Sequence, residues 1–442
     1  MSTREISPRA VTDFVPIESE RKTLPVKSAL SLRSNFVWAV AGNALYAACQ
    51  WGMIVALAKF GNAFMIGQFS LGLAIVTPAF MLSNLDLRAV QATDARRQYK
   101  FAEYLRLRLI LTVTALAVIG GIVWRGSYSR GTAAVILAVA IAKAIETISD
   151  IHYGLFQLNN RLDQTGRSMI LRGALAVTAL SAGLYVTHSV VWGCLWMAAG
   201  WLISLLLFDA RRGRRLVAST ENSDATEQAG EPWRQARLLW IAFPLGVVTT
   251  IASINLHMPR YFIHAHMGEY QLGVFSALAY ATVSLTLVGD SLGNSAIPRL
   301  SGFYAAGELA KYRGLMLRML GAGSAIGLIG VALAWGLGRR LLALFYSPDY
   351  AAYAGVFTLL VAAAAVHFAA SMLTSAITSA RRFAIQAPLY LAVAASTAWG
   401  CARWTPKFGL TGAAFGVLCG ASVRLLLAGI ILHFLVLPER QI

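Results

Sequence analysis

Twelve apolar runs, separated by short polar stretches, make up most of this 442-residue chain. Most are close to the roughly 20 residues that a helix needs to cross a hydrocarbon layer about 30 Å thick. A helix that is apolar on every side can contact lipid all round. The pattern therefore predicts an all-α integral membrane protein with about twelve transmembrane helices. We place them at about 35–58, 63–85, 107–124, 132–157, 169–187, 189–208, 239–258, 271–296, 314–337, 352–376, 384–401 and 410–436.

The polar segments divide the chain into two halves. Residues 1–34 and 437–442 are polar, which predicts tails without a packed core. The longest polar connection, 209–238, separates six apolar runs from six others. This predicts an N-terminal six-helix lobe at 35–208 and a C-terminal six-helix lobe at 239–436. An even number of crossings gives both lobes the same orientation in the membrane.

A weak internal repeat agrees with this division. GQFSLGLA at 67–74 resembles GVFSALAY at 273–280, and YKFAEYLRLR at 99–108 resembles LAKYRGLMLR at 309–318. Both matches have nearly the same offset along the chain. The repeat predicts two similar lobes related by an axis along the membrane normal.

Composition and charge support a membrane location. Hydrophobic residues make up 57% of the chain and charged residues 13%, with a mean hydropathy of +0.61. Soluble domains average about 45–50% apolar and about 25% charged residues. The net charge of +18 would suggest nucleic acid in a soluble protein. Here the basic residues lie between apolar runs and no basic-aromatic module occurs, so we expect no nucleic-acid partner.

The distribution of Lys and Arg predicts the orientation. With the N-terminus in the cytoplasm, 28 of the 38 basic residues fall on the cytoplasmic side and 8 on the opposite side. The other two, Lys143 and Arg424, lie within helices. Because cytoplasmic loops carry an excess of Lys and Arg, we expect both termini in the cytoplasm.

Motifs of enzymes are missing from the sequence. It contains no G-x-x-x-x-G-K-[ST], no G-x-S-x-G and no H-E-x-x-H, and its four cysteines lack C-x-x-C spacing. We therefore expect no enzyme activity, no cofactor and no metal site. The sequence is better suited to moving a substrate than to reacting with it.

The fourth apolar run carries a row of polar side chains. Lys143, Glu146, Asp150, Tyr153 and Gln157 follow one another at spacings of 3, 4, 3 and 4, which places them on one helical face. Charges within a membrane cost several kcal/mol and usually face a partner or a cavity. The row predicts either a salt bridge that fixes helix packing or the polar wall of a water-filled cavity. The two interpretations are compatible, because a cavity wall can contain an ion pair.

Three more candidates lie in the second half. Arg424 is near the middle of the last run, where it could pair with a buried carboxylate such as Glu146 or bind phosphate. Asp290 and His367 are candidates for ion coupling, together with Glu146 and Asp150. Asp290 could equally be a helix-end residue, and His367 a packing residue.

The first lobe resembles a known family. GNALYAACQWGMIVALAKFGN at 42–62 and the stretch 66–108, which begins IGQFSLGLAIVTPAF, are similar to polysaccharide biosynthesis membrane proteins. These are Wzx-type flippases of the MOP superfamily, which also contains the MATE multidrug and toxin extruders. The resemblance is clear over about 35–165 and diffuse beyond, and it carries no residue motif that would transfer a site.

The resemblance implies two pseudo-symmetric six-helix lobes around a central cavity, and a function for that cavity. It implies movement of undecaprenyl-diphosphate-linked oligosaccharides from the cytoplasmic to the outer leaflet of a bacterial inner membrane. Lys143 and Arg424 would attract the diphosphate, while Glu146, Asp150 and Gln157 would complete the substrate cavity. A cation gradient would drive the exchange. The expected partners are the lipid-linked oligosaccharide, membrane lipid and other polysaccharide-assembly membrane proteins.

Three alternatives stay open. A multidrug exporter would favour cavity carboxylates, yet the first two helices hold no acid before Asp86. A membrane polymerase or ligase would use an outer cluster such as His257, Arg260, His264 and His266. A scaffold without transport would have little need for charges within the membrane.

Overall fold

The computed structural model describes residues 32–94, 97–221, 232–380 and 385–436, without the side chains of most residues in 284–295 and of 32, 33, 36, 220, 221, 232, 435 and 436. Every regular element among them is helical, as the pattern predicted. The helices are α1 (Leu32–Phe60), α2 (Ala63–Asn84), α3 (Leu87–Thr93), α4 (Phe101–Arg125), α5 (Arg130–Leu158), α6 (Leu162–Thr187), α7 (Val190–Ser204), α8 (Ala210–Glu221), α9 (Pro232–Ala305), α10 (Leu309–Phe345), α11 (Ala354–Ser379) and α12 (Gln386–Ile431).

Two of these helices are too long for one crossing. Among the described residues, ten helical stretches are long and apolar enough to span a membrane, and α9 has 74 residues while α12 has 46. At 1.5 Å per residue, α9 would reach about 110 Å if straight, several times the thickness of the hydrocarbon layer. Gly268 (φ +78°) and Gly409 (φ +57°) interrupt the helical backbone of α9 and α12. Both adopt left-handed φ values that favour glycine.

Contacts show that the chain reverses at these glycines. Thr249 and Val283, on either side of Gly268, line the same cavity. Gly400 packs against the backbone of Gly416 across the turn at Gly409. Each helix therefore crosses twice, which gives the twelve predicted crossings. The predicted outer loop at about 258–270 is wrong in detail, because helical backbone continues almost to the turning glycine.

The predicted linker at 209–238 is partly helical. The sixth crossing, α7, continues through a π-helical turn (Leu205–Asp209) into α8, and α9 begins at Pro232. Residues 222–231, the tail 437–442 and all but the last residues of the tail 1–34 lie outside the described residues. The division into two pseudo-symmetric lobes stays a prediction.

The two halves touch on both sides of the membrane-spanning region. On the predicted cytoplasmic side, Gly246 in the first arm of α9 packs against Leu85. At the opposite end, α1 contacts the second half. Nε1 of Trp51 in α1 donates to the hydroxyl of Tyr346 at 3.0 Å, and that hydroxyl donates to the Ala277 carbonyl at 2.8 Å. Nζ of Lys59 donates to the Leu344 carbonyl at 3.0 Å. These contacts join α1 to the end of α10 and to the second arm of α9.

Candidate functional site

A cavity of about 440 Å³ lies among α1, α2, α3, α5, α6 and both arms of α9. It extends from the middle of α5 to the ends of α2 and α3 on the predicted cytoplasmic side. A rim of amide and hydroxyl groups, including Asn43, Gln50 and Thr249, adds hydrogen-bonding capacity. The charged side chains along its described wall are Asp86, Arg88, Lys143, Glu146, Asp150 and Arg172.

The deeper charged group, which we call the inner triad, is Lys143, Glu146 and Arg172. Nζ of Lys143 lies 2.6 Å from one carboxylate oxygen of Glu146, and Nη2 of Arg172 lies 3.5 Å from the other. The Tyr46 hydroxyl donates to Glu146 at 3.0 Å. Lys143 and Glu146 are separated by three residues on α5, so one helical turn brings them together. Arg172 reaches them from α6.

Arg172 is held by aromatic rings as well as by charge. Its side chain is 4% exposed, and its guanidinium lies 4.6 Å from the ring centroid of Tyr46, 5.4 Å from that of Tyr153 and 5.7 Å from that of Trp201. Cation–π contacts of this kind stabilise a desolvated guanidinium by about 2 kcal/mol. Nε and Nη1 of Arg172 are buried without a hydrogen-bond partner. A second carboxylate, the fully buried Asp209, is a further charged neighbour of Arg172.

A second group, the outer triad, is Arg88, Arg108 and Asp150. Asp150 lies 3.2 Å from Nη1 of Arg88 and 3.5 Å from Nη2 of Arg108. The Arg108 side chain is fully buried and also contacts the amide oxygen of Asn84. This group lies nearer the predicted cytoplasmic side, since Arg88 comes from α3.

The two triads share one electrostatic arrangement. Each places two cationic side chains around a single carboxylate. Arg108 does not line the cavity, so the described wall holds three cations and three carboxylates: Arg88, Lys143 and Arg172 against Asp86, Glu146 and Asp150. This wall suits an anionic group that takes the place of a carboxylate beside these cations.

The structure separates the other predicted site residues. Gln157 is exposed and does not line the cavity, because α5 continues past the cavity before ending at Leu158. Arg424 is buried in the second half, where it lies 3.2 Å from Nε2 of His367 and 3.2 Å from the Tyr390 hydroxyl. Of the two interpretations left open for Arg424, the pairing with Glu146 is wrong, because Arg424 contacts His367 and Tyr390 instead, and phosphate binding stays a prediction. The side chain of Asp290 lies outside the described residues.

The outer histidine cluster does not form one site. Nη1 of Arg260 lies 2.8 Å from Nδ1 of His257, and both residues are buried. His264 instead stacks on Tyr128, and His266 is exposed. The three histidines and Arg260 therefore do not meet at one site, as the polymerase or ligase alternative requires.

Sequence reasoning missed Arg172, Arg88 and Arg108. The charge count assigns all three to the cytoplasmic side: Arg108 and Arg172 lie in the first turn of the predicted helices 107–124 and 169–187, and Arg88 lies in a predicted loop because α3 is not predicted. The helices begin earlier, at Leu162 and Phe101, so polar first turns belong to the crossing helices. The sequence around Arg172, MILRGALAV, could have shown this. Apolar residues lie on both sides of Arg172, as they do around a residue inside a membrane helix.

Comparison with solved structures defines the class of protein. No family model matches the chain. The structure of the lipid II flippase MurJ in an inward closed conformation is similar with a TM-score of 0.66 and 10% identity, covering 90% of this chain and 87% of that one. A MOP superfamily transporter from Pyrococcus furiosus is similar with a TM-score of 0.60 and 15% identity, covering 89% and 92%. The chain has the fold of MOP-superfamily transporters.

A sequence match refines this class. The capsular polysaccharide biosynthesis protein CapF of Staphylococcus aureus is 25% identical over 316 residues, which is 72% of this chain and 78% of CapF. The resemblance to polysaccharide biosynthesis membrane proteins of the MOP superfamily is thus confirmed. A multi-pass membrane location is confirmed with it.

Proposed function

We propose that this protein moves a polyprenyl-diphosphate-linked oligosaccharide from the cytoplasmic to the outer leaflet of a bacterial inner membrane, for assembly of a surface or exported polysaccharide. The observation that carries the proposal is the cavity wall in which Lys143 and Arg172 share the single carboxylate Glu146. The CapF similarity supports the polysaccharide precursor as substrate. The protein would act without bond chemistry and without a cofactor.

The physical problem of such a substrate is its headgroup. The polyprenyl tail can remain in lipid, but a charged diphosphate in an apolar medium costs on the order of ten kcal/mol or more. Lys143 and Arg172 replace part of its hydration with charge-assisted hydrogen bonds, and guanidinium geometry suits phosphate oxygens. Glu146 competes with the diphosphate for the same cations, which limits affinity and allows release.

Alternating access would follow from the contacts between the halves. The described contacts of α1 with α10 lie at the outer ends, while the cavity extends toward the predicted cytoplasmic side. Rocking of the two halves would break the Trp51–Tyr346 bond and open the cavity outward. Coupling to a cation gradient belongs to this proposal, with Glu146 and Asp150 as the cavity carboxylates and Asp290 and His367 as further candidates.

A leaflet-resolved assay of lipid-linked oligosaccharide in cells lacking the protein tests the proposal. We expect Lys143→Ala and Arg172→Ala to insert in the membrane but to accumulate the substrate in the cytoplasmic leaflet. Arg106→Ala, which removes an exposed arginine from α4, is the control and should export normally. Normal export in the two cavity variants would refute the proposed site.

Two further outcomes separate the alternatives. Normal export by Arg424→Ala, together with failure of the two cavity variants, would confine anion binding to the first half. Unchanged glycan export in cells lacking the protein, combined with altered drug resistance, would favour a multidrug exporter over a flippase.

A further inference from the structure

A second pocket lies on the predicted cytoplasmic side, away from the cavity. It has a volume of about 370 Å³ and lies between the end of α5, the start of α6 and α8. We call it the arginine groove. Its lining residues are Phe156, Arg161, Gln164, Arg212, Arg215, Leu216 and Ser219.

The groove is positioned by buried contacts. Gly213 of α8 is buried and packs against the ring of His152 in α5, which brings α8 against the bundle. Arg212 contacts the side-chain oxygen of Gln164, and its guanidinium lies 4.3 Å from the ring centroid of Phe208. Gln164, itself buried, donates to Asp163 at 2.6 Å. The position of the Arg212 guanidinium is therefore fixed by protein groups.

The charge around the groove is strongly positive. Arg161, Arg167 and Arg215 are all charged neighbours of Arg212, and Asp163 is the acid that opposes them among the described residues. The carboxylate of Asp163 is 2% exposed and is occupied by Arg161 at 3.0 Å and by Gln164. Arg212 and Arg215 thus face the groove without a carboxylate partner among the described ion pairs.

The surroundings favour a lipid over a soluble anion. Leu206 and Leu207, directly before α8, are 53% and 55% exposed, so they contact acyl chains in a membrane. The floor of the groove is apolar, with Phe156 fully buried and Leu216 packed on the same cluster. A basic pocket between helices at this level matches an anionic headgroup with its chains in the bilayer.

We infer that the arginine groove binds the phosphodiester headgroup of an anionic phospholipid of the cytoplasmic leaflet. The ligand would accept hydrogen bonds from Arg212 and Arg215 while its acyl chains lie beside Leu206 and Leu207. This site is separate from the transport cavity, because the two pockets share no lining residue. Binding would anchor α8, which lies between the two halves of the chain.

Native mass spectrometry of the delipidated full-length protein tests the inference. The probes are dioleoyl phosphatidylglycerol, dioleoyl phosphatidylcholine, glycerol phosphate and undecaprenyl diphosphate. We expect phosphatidylglycerol to bind to wild type and to lose about 30-fold in affinity in Arg212→Gln/Arg215→Gln, at about 1 kcal/mol per arginine. Arg211→Gln/Arg214→Gln is the matched control, because it removes the same charge from α8 outside the groove, and should change affinity less than about twofold.

Four outcomes would overturn the inference. Equal losses in the two double variants would show diffuse surface attraction instead of a groove. Equal binding of phosphatidylcholine would remove the role of headgroup charge. Glycerol phosphate binding as tightly as the lipid would assign the groove to a soluble phosphate. Displacement of phosphatidylglycerol by equimolar undecaprenyl diphosphate would assign it to the transported lipid. A thermal unfolding scan of each variant confirms that a lost signal reflects binding.

Discussion

Replacing Glu146 by Gln tests whether this carboxylate holds the cations of the inner triad. Glu146 lies 2.6 Å from Lys143 and 3.5 Å from Arg172. At an effective dielectric constant of about 20, these distances correspond to Coulomb energies of about 6 and about 5 kcal/mol. Desolvation offsets much of this attraction. We therefore expect Glu146→Gln to lower the free energy of unfolding by about 3–5 kcal/mol, since the buried Arg172 and the partly buried Lys143 lose their carboxylate partner.

Arg172→Gln is the matched comparison. It leaves the Lys143–Glu146 pair in place, so we expect a smaller loss of about 1–3 kcal/mol. Pyrophosphate should restore part of the stability of Glu146→Gln, because an anion in the cavity takes the place of the carboxylate. Thermal unfolding of the purified proteins, with and without millimolar pyrophosphate, measures both effects. Equal losses in the two variants, or no response of Glu146→Gln to pyrophosphate, would refute this reasoning.

Three further predictions concern the fold. Arg108→Ala should cost about 1–3 kcal/mol in unfolding free energy, because Asp150 loses one of its two cations but keeps Arg88. The exposed Arg106→Ala should stay within about 0.5 kcal/mol, and similar losses in both would contradict this. Tyr346→Phe removes the acceptor of Trp51 and should speed amide hydrogen exchange at the outer ends of α1 and α10; unchanged exchange would show that the bond does not hold the halves. Gly268→Ala should cost about 1 kcal/mol from φ +78° alone, since an added Cβ meets no atom within 4 Å; an unchanged Tm would argue against strain there.

The crossing helices could be predicted because lipid imposes a strong local rule. A segment of about 20 apolar residues must form a helix in a bilayer, whatever its neighbours are. The turns at Gly268 and Gly409 were harder, because a tight reversal needs only one residue with positive φ and leaves little polar sequence to mark it. The predicted outer connections therefore begin several residues before the observed turns and are too long.

The candidate site could be predicted only on one helix. Helical periodicity placed Lys143, Glu146 and Asp150 on a common face of α5, and all three line the cavity. Their partners come from other helices: Arg172 from α6 and Arg88 from α3. Periodicity within one segment carries no information about which helix packs beside it, so it could not show that these arginines meet the charges of α5.

The sequence by itself determined that this chain crosses a membrane about twelve times and carries a row of charges on its fourth crossing, because solvation by lipid and the 3.6-residue period act locally. The tertiary structure decided which charges meet. It placed Arg172 beside Glu146, sent Arg424 to His367 and Tyr390 in the other half, and left Gln157 exposed. Ion pairs between helices depend on packing over long separations in the chain, and a Coulomb attraction that is strong at 3 Å gives no sequence pattern by which to find its partner.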